Sequence, residues 1–98
     1  MSGKLVNLAV QVLPESRSRH PYDIVDEAIK LIADSGFVYR VCPFETVVEC
    51  TLDEGLDLIR EIHKICRLAG AGKMMAYIKI QTDFEGDVKI DDKMEKYV

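Results

Sequence analysis

The sequence has 98 residues, of which 48% are hydrophobic and 31% charged, with a formal net charge of -4. This length supports one domain spanning residues 1–98, with a core small enough that pairing with further copies is a natural supplement. No basic patch is interleaved with aromatics, which argues against nucleic acid, and no apolar run approaches bilayer thickness, which argues against a membrane role.

Met1-Ser2-Gly3-Lys4 runs straight into a strand-like pattern without the apolar core of a secretory signal, so the expected compartment is the cytoplasm. Residues 5–13 alternate: Val6, Leu8, Val10 and Val12 share one face, while Asn7, Ala9 and Gln11 share the other. This predicts a strand with one buried face. The polar segment PESRSRHP has proline at each end, and Pro21 suits the first turn of a helix. Ile24, Val25, Ala28, Ile29 and Ile32 then keep a helical stripe up to the stop at Ser35-Gly36.

FVYRVC is rich in β-branched and aromatic residues and predicts a second strand, which turns through Pro43-Phe44 into a third, ETVVEC. Thr51-Leu52-Asp53-Glu54 matches a capping box and opens a second helix, with Leu56, Ile59, Ile62, Cys66 and Ala69 on its stripe and Gly70 at its end. MMAYIKIQ predicts a fourth strand, with Ala76, Ile78 and Ile80 on one face and Tyr77, Lys79 and Gln81 on the other. After the DFEGD turn, the C-terminal extension VKIDDKMEKYV fits a short strand or a helical turn.

The order is βαββαβ. It predicts an α+β, ferredoxin-like sandwich: a four-stranded antiparallel sheet with two helices on one face and the first and third strands at its centre. The other face carries Asn7, Ala9, Gln11, Glu45, Val47, Glu49, Tyr77, Lys79 and Gln81, a mixed surface suited to another subunit or a ligand. Chain direction puts Gln11, Glu45, Thr46 and the loop 16–20 on one rim, with Asn7, Glu49 and Lys79 toward the opposite end.

Catalytic and metal signatures are weak. His63 and Cys66 have i,i+3 spacing, but two ligands on one helix make no zinc site without partners, and His20 beside a helix start suits capping. Cys42, Cys50 and Cys66 form no CxxC and are odd in number, which fits reduced, buried thiols. No serine sits in a nucleophile elbow, and Glu45 and Glu49 stand roughly 13 Å apart along a strand, too far for a glycosidase pair. GAGK at 70–73 lacks the spacing and the hydroxyl of a phosphate loop. The reading is therefore no enzyme, no catalytic residue, no metal and no cofactor. Glu45 and Thr46 are left either as the solvated start of a strand or as residues that hold a ligand.

"VQVLP" at 10–14, "SGFVYRVCPFETVVEC" at 35–50, "EIHKIC" at 61–66, "YIKI" at 77–80 and "KMEKY" at 93–97 resemble the small thiamine-binding-protein-like family, nearly end to end. The resemblance implies a ferredoxin-like fold, dimers that pair into tetramers through their sheets, and binding of thiamine or its pyrimidine moiety without an established catalytic activity. The family's Pro-Met-Glu-Thr signature stands here as Pro43-Phe44-Glu45-Thr46, with Phe44 in place of Met and Cys42 where Gly is common. On this likeness the family's acid and hydroxyl fall on Glu45 and Thr46, with Glu45 expected to grip the aminopyrimidine; strand alternation alone suggests Thr46 and Gln11 to complete the polar set and Tyr39 or Tyr77 to stack on a ring or face the thiazolium. The expected role is sensing, buffering or delivery. Two alternatives stay open, a structural oligomer without a ligand and an enzyme acting on a thiamine precursor.

Overall fold

A computed structural model describes residues 3–97. The elements follow as β1 (Leu5–Glu15), α1 (Pro21–Asp34), β2 (Val38–Val41), β3 (Thr46–Thr51), α2 (Leu52–Leu68), β4 (Lys73–Gln81) and α3 (Ile90–Met94), with a 3₁₀ turn over Glu95–Tyr97. All neighbouring strands are antiparallel, in the order β2-β3-β1-β4. This is the ferredoxin-like sandwich, with β1 and β3 at its centre as expected.

The alternation in β1 sends Leu8, Val10 and Val12 to the helix side, where they meet Val48 and Cys50 of β3. Ile24, Ala28 and Ile32 of α1 and Leu58, Ile62 and Cys66 of α2 close over them, so both helices cover one face. Burying each large aliphatic side chain here contributes about 1.5–3 kcal/mol. β1 runs two residues past its expected end. Pro14 lies beyond the last pairing with β3, with only β4 across from it, a position where a missing N–H disturbs the ladder least.

His20 caps α1 by accepting from the Tyr22 N–H through Nδ1 at 3.1 Å. The capping box of α2 is present in both directions: Thr51 Oγ1 accepts from the Glu54 N–H at 3.2 Å, and Glu54 Oε1 accepts from the Thr51 N–H at 2.9 Å. The helix gives way at Gly70, whose φ of 114° is a left-handed conformation that glycine adopts without strain.

One expected core position is wrong. Leu56 is 39% exposed, and the buried stripe runs through Gly55, Leu58, Ile62 and Cys66. A Cβ at residue 55 would lie 3.2 Å from Cys50 Sγ and 3.3 Å from Leu8 Cδ2, so the helix approaches the sheet over a glycine and its stripe starts one residue earlier than expected, while Ile62 and Cys66 keep their places.

The C-terminal extension is helical, and it lies on the sheet face away from α1 and α2. Leu5 N–H donates to Asp87 Oδ1 at 2.8 Å and Val88 N–H to the Leu5 carbonyl at 2.9 Å. Asn7 Nδ2 donates to the Val88 carbonyl and Ile90 N–H to Glu49 Oε1, both at 2.9 Å, while Lys93 Nζ donates to Gln81 Oε1 at 2.7 Å. Val88 and Ile90 are buried by this docking. The Asn7 end of the mixed face is thus covered by the chain itself. At the other end Leu13, Met75 and Tyr77 remain exposed together, since Leu13 pairs with Met75 and Gln11 with Tyr77.

Candidate functional site

Residues 42–45 form the turn between β2 and β3, closed by the Cys42 N–H donating to the Glu45 carbonyl at 2.9 Å. Pro43 presets the backbone for such a turn, and Phe44 at its tip is 80% exposed. β3 then begins, with Thr46 opposite Val10, and alternation points Glu45 and Thr46 to opposite faces.

Thr46 faces the helices and is 5% exposed. It lines a cavity of about 140 Å³ between the turn, the end of the sheet and α1. Val10, Val12 and Val41 of the sheet and Val25, Ala28 and Ile29 of α1 supply apolar walls, with Pro43 and Phe44 over the mouth. A volume of ~150 Å³ with aliphatic walls is what a single benzene-sized ring occupies. Gln11 and Glu45 border the same cavity.

The Glu45 side chain, 28% exposed, reaches toward the open sheet face, where Oε1 lies 3.0 Å from Lys79 Nζ. Lys79, expected nearer the other end of the sheet, is opposite Ala9, and its four-carbon stem carries the ammonium group across β1 to Glu45. A second hollow, of about 280 Å³, opens on this face and is lined by Asn7, Ala9, Glu45, Val47, Lys79 and Lys93 among others. Glu45 therefore stands between two concave sites.

Of the five residues singled out from the sequence, Gln11, Glu45 and Thr46 come together at the ring-sized cavity. Tyr77 lies on the open face beside Gln11, and Tyr39 lies on the helix side of edge strand β2 opposite Val48; neither lines that cavity. The walls from α1 went unremarked as site residues, although Val25, Ala28 and Ile29 belong to the helical stripe visible in the sequence. Asn7 and Lys93 could not be associated from the sequence, because only the docking of the C-terminal extension brings them together.

The remaining reactive groups are engaged structurally. Burial, reinforced by the Glu54 carboxylate, pushes the Cys50 thiol up to about 11, and burial also raises that of Cys66. His63 Nδ1 lies 2.9 Å from the Ile59 carbonyl, and no cluster of three or more potential metal ligands occurs among the described residues. The Gly72 N–H of the GAGK stretch donates to the Glu15 carbonyl at 2.9 Å, as a strand start requires.

Residues 8–98 match the family described as thiamine-binding protein. The chain belongs to this family. A UPF0045 protein of Clostridium perfringens is 33% identical over 91 residues, which cover 93% of this chain and 95% of the relative. Among solved structures, a DUF77 domain from Bacillus cereus superposes with a TM-score of 0.92 at 34% identity, covering 97% of this chain and 91% of the other. A Thermotoga maritima protein assigned provisionally to thiamine biosynthesis or salvage superposes at 0.87 with 26% identity, covering 96% and 99%. Both solved structures share the sandwich over nearly the whole of this chain. Among the described residues no helix is long and apolar enough to cross a membrane.

Proposed function

We propose that this protein binds thiamine or a related pyrimidine, such as hydroxymethylpyrimidine, without converting it, and acts in sensing, buffering or delivery in the cytoplasm. Membership of the thiamine-binding family and the likeness to the Thermotoga maritima protein support a thiamine-related role. The observation that carries the reading is the juxtaposition of Glu45 and Thr46 in the lining of an apolar cavity the size of one ring.

The chemistry follows from those groups. The aliphatic walls take the flat ring out of water, and the buried Thr46 hydroxyl offers a donor and an acceptor at its edge. Glu45 leaves Lys79, an exposed partner worth at most about 1 kcal/mol, and turns to the mouth of the cavity. Its carboxylate accepts from the exocyclic amino group, while a proton shared with the adjacent ring nitrogen completes a two-point contact. Charge assistance makes such a contact worth about 1.5–3 kcal/mol once water is excluded. The cavity fits the pyrimidine alone, which leaves the thiazolium near the exposed turn. The exposed Leu13, Met75 and Tyr77 on the open face support self-association, and we extend the proposal to a homo-oligomer built as a dimer of dimers through the sheets.

Calorimetric titration with thiamine and with hydroxymethylpyrimidine tests the proposal. Saturable heat from both is expected. No heat and no shift in melting temperature at millimolar ligand would leave the structural oligomer as the better reading, and turnover of a precursor seen by mass spectrometry would make the protein an enzyme.

A further inference from the structure

Phe44 stands at the tip of the 42–45 turn, 80% exposed, and lines the mouth of the ring-sized cavity. A single exposed aromatic is ordinary on a protein surface, so what distinguishes Phe44 is where it stands. Pro43 fixes the backbone just before it, and the Cys42 N–H closes the turn on the Glu45 carbonyl at 2.9 Å, so the segment that presents the ring is held from both sides. Among the described residues neither another aromatic ring nor an ammonium group stacks on it. The electron-rich face of the ring is therefore free for a ligand. Glu45 is the one charged side chain among the described residues that line the cavity; Lys79 meets it from the open sheet face, outside that lining. The mouth thus offers a carboxylate and an aromatic face, both of which favour a positive charge.

The next step rests on the proposed pyrimidine binding. With an aminopyrimidine filling about 140 Å³, the thiazolium of thiamine, joined to it through a single methylene, is left at the mouth. The geometry points to Phe44 as the residue that makes this site prefer a cationic second ring. A positive charge within about 6 Å of an aromatic centroid is attracted by the negative face of the ring, which an aliphatic side chain of similar bulk cannot reproduce. Tyr39 and Tyr77, expected from the sequence to take this part, do not line the cavity, and the part falls to the turn. Hydroxymethylpyrimidine has no second ring and gains nothing from Phe44.

Calorimetric titration of the parent protein, Phe44→Leu and Phe44→Tyr tests the inference, with three ligands: thiamine, hydroxymethylpyrimidine and 3-deazathiamine, in which carbon replaces the positively charged ring nitrogen. Phe44→Leu should weaken thiamine about two- to fivefold, the range of an exposed cation–π contact, while the affinities for 3-deazathiamine and hydroxymethylpyrimidine stay unchanged. Phe44→Tyr, which keeps an aromatic face, should bind thiamine as the parent does. Thiamine affinity indifferent to Phe44→Leu would overturn the inference, and so would equal weakening of thiamine and 3-deazathiamine, which would make Phe44 an apolar cover without charge selection. In both cases hydroxymethylpyrimidine would still bind, and the pyrimidine reading would stand. No heat from any of the three ligands with the parent protein would overturn that reading and this inference together.

Discussion

Ala28→Leu separates a ring-sized cavity from a packed core. Ala28 is buried on α1 and lines the cavity under the 42–45 turn, so leucine projects three additional carbons into about 140 Å³ of available space. At about 0.8 kcal/mol per buried CH₂ the gross gain is roughly 2.4 kcal/mol, reduced by the rotamer freedom that leucine loses. Alanine and leucine are both strong helix formers, so α1 itself is little affected. The net expectation lies between no change and about 2 kcal/mol of stabilisation, or up to roughly 10 °C in melting temperature for a chain of this size. In the same variant the ring has nowhere to go, and heat from hydroxymethylpyrimidine should vanish. Thermal unfolding and calorimetry on one preparation supply both readings. Were the space already filled, leucine would overpack the core and cost about 1–3 kcal/mol. A lowered melting temperature together with undiminished pyrimidine binding would refute the reasoning.

Glu45→Gln should weaken thiamine binding at least tenfold, measured by calorimetry, with a melting temperature close to that of the parent because the Lys79 partner is exposed. Unchanged affinity would remove Glu45 from the site. Thr51→Ala should cost about 1 kcal/mol in denaturant unfolding, since it deprives the Glu54 N–H of its cap. Gly55→Ala sets a gain of up to ~1 kcal/mol in helix propensity against a tight contact with Cys50 and Leu8; a net loss of about 1 kcal/mol is expected, and a gain would show that α2 can move away from the sheet. For Cys50 the folded thiol is raised from 9.0 to about 11, so the contribution of its neutral form to stability is complete below pH 9 and falls as pH rises through 11. At neutral pH a thiol reagent should label the half-buried Cys42 ahead of Cys50 and Cys66, which a mass shift per cysteine would reveal.

Much of the fold was legible because its signals are local. Period-two alternation marked β1 and β4, a 3.6-residue stripe marked the helices, and Thr51 at the N-cap with Glu54 at the third helical position announced the start of α2. The misplacement of Leu56 shows where a stripe count fails. Gly55 makes its contact through the absence of a side chain, and hydrophobic periodicity does not register an absence. The opposite faces of Glu45 and Thr46 followed from alternation alone, yet their joint presence at one cavity depends on how α1 and the turn close over the sheet end. Lys79 was misplaced because a Cα position says little about an ammonium group on a four-carbon stem. The docking of residues 87–90 on Leu5, Asn7 and Glu49 rests on contacts across as many as 82 positions of sequence, and no window of local pattern contains them.

That covering also has a temporal side. Synthesis proceeds from the N-terminus, so the latch over Asn7, Glu49 and Gln81 leaves the ribosome only after all three strands that receive it. A nascent chain stalled before residue 87 would present a bare amide, a carboxylate and a strip of β surface to whatever is nearby. The latch can engage only a sheet whose three strands are already in register, because its contacts fall on β1, β3 and β4 at once.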